Sequence, residues 1–188
     1  MKRIISFALA LIFIFSAVAV SVSAEENDEK VARMWFCSEE CDITPWGHVF
    51  LYFENLTDEP IMVGRYEVPA HGDVSVGCFG EEGPRGEGVY YNLETELKHY
   101  SSLKGIYVDL DEKELAKVTK KIRKNRGWSA LNNCYQFASS GWNAGPAASI
   151  PYLIFPKFAR IMIFLRGAKS LPVDIDSRNV TVYKQSEL

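Results

Sequence analysis

Trp46-Gly47-His48-Val49-Phe50-Leu51-Tyr52-Phe53 and Asn132-Asn133-Cys134-Tyr135-Gln136-Phe137-Ala138 are the two stretches from which the fold is read. In the first, a glycine and a histidine lead into aromatic and branched side chains, the composition of a buried strand. In the second, asparagines precede a cysteine and a helical run that Gly145-Pro146 stops. A helix is therefore expected from Cys134 to about Asn143, with Asn132 or Asn133 as its N-cap. Outward from the first stretch, residues 61–68 form a second strand-like run, and Leu56-Thr57-Asp58-Glu59-Pro60 between the two carries turn residues. Together they predict a β-hairpin. Residues 74–79, 89–93 and 106–110 predict further short strands, with a loop at 80–88 that holds four glycines and Pro84; residues 180–183 predict a last strand.

The pattern thus starts as strand and ends as helix. Residues 111–126 are the clearest helix: Asp111 and Glu114 have capping-box spacing, Leu115, Val118 and Ile122 make an apolar stripe, and Gly127 is a stop. Its other face, with Lys117, Lys120, Lys121, Arg123, Lys124 and Arg126, is expected to be solvated; contact with an anionic wall polymer is the alternative. A third helix falls within residues 151–166, ends at Gly167 and must bend or begin afresh near Pro156. Because residues 155–165 are apolar almost all round, burial is expected, with lipid or acyl-chain contact as the alternative.

Composition bounds these readings. The 188 residues are 47% hydrophobic and 24% charged, with four cysteines and a formal charge of −3, which excludes disorder, collagen and a disulfide miniprotein. Lys2-Arg3, an apolar run over residues 4–20 and Ser21-Val22-Ser23-Ala24 before Glu25-Glu26 read as a secretory signal peptide cleaved after Ala24. Cleavage leaves 164 residues with 19 basic and 24 acidic side chains, so the exported chain has no global electrostatic reason to seek nucleic acid, nor a segment for stable membrane insertion. With no repeat or long linker, an N-terminal segment at residues 25–45 is expected to precede one domain at 46–188.

Any chemistry is expected at the two quoted stretches. A thiolate in the first turn of a helix is stabilised by the helix N-terminal partial charge and by unpaired amides, and a nearby imidazolium adds to this. Cys134 has that position, and His48 alone among the three histidines sits after a glycine at a strand head; His71 falls in a turn and His99 in polar sequence.

A Gly-His at a strand start, followed some 80 to 100 residues later by an Asn-Cys opening a helix before Phe-Ala, resembles the circularly permuted papain-like superfamily, which includes lecithin:retinol acyltransferase-like enzymes and bacterial cell-envelope amidases and peptidases. The resemblance covers residues 46–145. It implies an α+β fold with an antiparallel sheet packed against helices, Cys134 as nucleophile, His48 as base, and a polar residue on the following strand to hold the imidazole. Pairing the predicted hairpin about Thr57-Asp58 sets His48 opposite Glu67, the expected orienting residue; a one-residue slip substitutes Tyr66. The reaction implied is attack on an amide or ester carbonyl to give an acyl-enzyme that passes to water or another acceptor, with the Cys134 amide holding the oxyanion. It calls for no cofactor and no metal, and the substrate is a peptide, an isopeptide or a lipid ester in the cell envelope or outside the cell.

The even cysteine count in an exported chain argues against a free nucleophile. A bridge within Cys37, Cys41 and Cys78, leaving Cys134 free, is the expected arrangement; zinc held by Cys37, Cys41 and His48 matches no common ligand spacing. The competing function is a catalytically inactive extracellular binding module on the same fold, which would use Trp35, Phe36, Tyr90 and Tyr91 as an aromatic surface.

Overall fold

Strands whose successive residues are all apolar must be covered on both faces, and that is how this chain folds. The computed structural model describes residues 29–38, 47–97, 103–125, 127–129, 131–152 and 157–188; the segment 1–24 expected to be a leader, Cys41, Trp46, His99 and Arg126 lie outside them. The strands are β1 (Ala32–Ser38), β2 (Val49–Asn55), β3 (Ile61–Val63), β4 (Tyr66–Val68), β5 (Asp73–Phe79), β6 (Gly88–Tyr91), β7 (Lys104–Leu110), β8 (Lys169–Ser170) and β9 (Tyr183–Lys184). The helices are α1 (Glu94–Leu97), α2 (Glu112–Lys124), α3 (Cys134–Trp142) and α4 (Lys157–Leu165). Seven strands form an antiparallel sheet in the order β8-β7-β1-β2-β5-β6-β9, packed against helices, so the chain is α+β.

On one face Met34, Phe36, Leu51, Phe53, Val74 and Val76 meet the apolar sides of α2, α3 and α4. On the other, Trp35, Cys37, Phe50 and Tyr52 are covered by Leu103 and Ile175, with Leu97 of α1 packed against them. Residues 49–53 of β2 have no solvent exposure at all. The α2 capping box forms as its spacing predicts: Glu114 N–H donates to Asp111 Oδ1 at 2.8 Å and Asp111 N–H to Glu114 Oε2 at 2.9 Å.

Three expectations change here. The partner of β2 is not the neighbouring run. Positive φ at Gly64 (61°) splits residues 61–68 into a separate hairpin of β3 and β4, where Glu67 is exposed and opposite Met62. β2 instead pairs with β5, Phe50 opposite Gly77, so residues 56–72 are an excursion between paired strands. The segment read as preceding the domain contains β1, a central strand between β2 and β7. Its run Met34-Trp35-Phe36-Cys37 lacks alternation because both faces are buried. Finally, Trp35, Phe36, Tyr90 and Tyr91 are 4% exposed or less, so they form no binding surface.

The base of the excursion is closed by one buried side chain. Asn55 Nδ2 donates to the carbonyls of Glu59 (2.8 Å) and Pro69 (2.9 Å), while its Oδ1 accepts from Thr57 N–H at 2.9 Å. Asn55→Ala leaves several of these groups unpaired in a buried place, and the expected loss is about 1–3 kcal/mol in urea unfolding. Limited proteolysis should then cut first within residues 56–72.

Candidate functional site

Asn133 shapes the start of α3. Its side-chain oxygen accepts from the amides of Tyr135 (3.0 Å) and Gln136 (3.2 Å), and Gln136 Oε1 accepts from the Asn133 amide at 3.0 Å. This capping box makes Cys134 the first helical residue and does not use the Cys134 amide. Tyr135, Phe137, Ala138 and Trp142 anchor the helix in the core, so the thiol has a fixed position, with Sγ 3.9 Å from Gly47 O at the head of β2.

His48 follows that glycine. Its ring stacks on Phe79 (centroids 4.3 Å apart) and on Phe50 (5.7 Å), and it hydrogen-bonds the Cys134 side chain. Nε2 lies 3.1 Å from Glu94 Oε1. The Glu94 carboxylate is fully buried, and its second oxygen accepts from Ser75 Oγ at 2.5 Å. A buried carboxylate needs such partners, because an unpaired charge there would cost several kcal/mol.

Two devices place Glu94. Asn92, at φ 64°, turns the chain out of β6; its amide donates to Ser75 O (2.9 Å) and its Oδ1 accepts from Ser75 N–H (3.2 Å), which fixes the turn to β5. Arg178, ion-paired with Asp73, also donates to Asn92 Oδ1 at 3.4 Å. The second device is Gly77. A Cβ there would overlap Glu94 Oε1 and come within 2.8 Å of both His48 Nε2 and Phe79 Cε2. Only a residue without a side chain leaves space for the carboxylate to reach the imidazole.

The structure therefore brings Cys134 and His48 together and keeps Glu67 and Tyr66 away from them: both lie in the β3–β4 hairpin. Glu94 takes the place expected for Glu67. Nothing in Asn92-Leu93-Glu94-Thr95-Glu96 marks it in sequence, since α1 is only one turn long and Glu96 stands two residues away in the same turn.

The three described cysteines are free thiols. Burial pushes the Cys37 thiol well up and that of Cys78 up to about 12, so neither is a ready nucleophile. They point to opposite faces of the sheet with β2 between their strands, which rules out a bridge between them; Cys41 is outside the described residues. Burial lowers the affinity of His48 for its proton, but hydrogen bonds to Cys134 and Glu94 and their negative charges reverse this and raise its pKa from 6.5 to about 9. Among the described residues no three His, Cys, Asp or Glu side chains are grouped to hold a metal. A separate cavity of about 490 Å³, lined by Arg65, Glu87, Arg123 and Lys184 among others, includes none of Cys134, His48 and Glu94.

Because the folded value of His48 lies above the unfolded one, its contribution to stability is complete below pH 6.5 and is lost as pH rises through about 9. Chemical denaturation across this range should show the decline, and His48→Gln should remove it. Gly77→Ala or Glu94→Gln should move the His48 titration, followed by NMR, downward from about 9. Comparisons with protein-family models, with curated proteins and with solved structures give no match to this chain.

Proposed function

We propose that the protein is a thiol hydrolase or acyltransferase that cleaves an amide or ester bond through an acyl-enzyme on Cys134. The observation that carries this reading is the chain of contacts from a helix-start cysteine to His48 and on to the buried Glu94 carboxylate. Histidine before cysteine in sequence, with an antiparallel sheet packed against helices, is also the arrangement expected of the permuted papain-like superfamily.

The chemistry follows from the charges. A protonated His48 beside Cys134 pairs imidazolium with thiolate, and the thiolate attacks the carbonyl carbon. The Cys134 amide, not used by the capping box, is a donor for the resulting oxyanion. His48 gives its proton to the leaving nitrogen or oxygen as the bond to carbon breaks, and a thioester remains. Water or another acceptor then loses a proton to His48 and attacks the thioester, which releases the Cys134 thiolate and restores the imidazolium. Glu94 acts through His48: it holds the ring orientation and offsets its positive charge. With residues 1–24 as an export leader, the substrate is a peptide, isopeptide or lipid ester outside the cytoplasm.

A thiol-directed acyl electrophile with mass mapping tests this. Labelling should fall on Cys134, and His48→Ala should slow it by about 10²–10⁴-fold, the range of a positioned acid–base group. Glu94→Gln should slow it by about 10- to 100-fold, equivalent to one hydrogen bond to a charged group, while Glu67→Gln should change nothing. Equal labelling in the parent and in His48→Ala would refute the assignment. So would a slow phase in Glu67→Gln but not in Glu94→Gln for the positioning carboxylate.

A further inference from the structure

Helix α4 carries apolar side chains on both of its faces. Ala159 and Ile163 are buried against the sheet, whereas Ile161 (49% exposed), Phe164 (76%) and Leu165 (71%) lie on the outward side. The expectation that the whole segment is buried is therefore corrected: nine residues lying on a sheet have only one side to bury, and the sequence places large apolar groups on the other as well. Tyr152 is 59% exposed just ahead of the helix. Large exposed apolar groups clustered on one surface mark a contact site.

Charge says what kind of contact. Residues 115–173 contain ten of the 21 Lys and Arg residues and none of the 24 Asp and Glu residues. The rest of the chain holds 11 basic side chains against all 24 acidic ones. That segment supplies α4 and all but the first turn of α2; both pack on the same sheet face, and Lys117, Lys120 and Lys121 of α2 and Arg160 of α4 are exposed. A chain that is acidic overall thus carries, on the two helices of this face, exposed Lys and Arg side chains together with an apolar ridge.

We propose that this side docks on an anionic lipid bilayer, with Ile161, Phe164 and Leu165 entering the headgroup–acyl boundary and the exposed Lys and Arg residues of α2 and α4 meeting lipid phosphates. A ridge without a groove suits a fluid surface, which needs no matching shape, and the sum of apolar area and cationic charge is what interfacial helices use. Docking is peripheral, since no helix among the described residues is long and apolar enough to cross a membrane. The inference does not depend on the catalytic reading.

Vesicle co-sedimentation tests it, with the full chain and its F164E/L165E variant, so that any effect of residues 1–24 is common to both. The parent should bind phosphatidylcholine vesicles containing phosphatidylglycerol at least tenfold more strongly than pure phosphatidylcholine, with binding weakened by salt. F164E/L165E should reduce that binding at least tenfold, and the milder F164S/L165S should also reduce it, with unfolding midpoints unchanged because both side chains are exposed. Equal binding by parent and variants, equal affinity for the two vesicle types, or a concentration-dependent dimer in sedimentation velocity that F164E/L165E dissolves would each overturn the proposal.

Discussion

A carboxylate with no access to water sits at the centre of this molecule, and the surrounding structure is arranged around it. Glu94 is satisfied on one oxygen by Ser75 and on the other by His48. Removing either partner would strand a buried charge, so the imidazole is held as firmly as the fold itself. The turn at Asn92, the clamp from Arg178 and the missing side chain at Gly77 exist in relation to that contact. The hydrogen bond to Cys134 and then that to Glu94 outweigh burial and raise the His48 pKa to about 9.

The cysteine is placed by a different means. Asn133 and Gln136 exchange hydrogen bonds around the start of α3, while aromatic groups on the helix fill the core beneath it. Local capping decides which residue is first in the helix; packing against β2 and β5 decides where that residue stands. The two meet at the end of the sheet, where β2 begins, and there the thiol comes to the histidine. A site built on a helix start and a strand head inherits the rigidity of both.

The two faces of the sheet have divided their tasks. One carries His48, Glu94 and a cover formed by α1 and the C-terminal segment. The other carries the helices and, with them, the cationic and apolar exterior. Separation of charge along the sequence becomes separation in space where α2 and α4 cover one face of the sheet; only at Leu171 and Val173 does the chain turn to the other.

Much was legible in the residues alone. Capping signals are local, so both long helix starts, and with them Cys134, stood out in the sequence; so did β5, β6 and β7, bounded by glycine and turn residues. His48 was legible because a glycine and an aromatic run mark a strand head. What only the tertiary structure decided was partnership. Strand pairing depends on which runs bury each other's side chains, not on which are adjacent: β2 passed over residues 61–68 to pair with β1 and β5, and Glu67 went with the run that was left out. Glu94 was invisible for the same reason. Nothing nearby in sequence distinguishes it from Glu96, and its role comes from Gly77 and Ser75, which lie on another strand and are brought to it by the sheet.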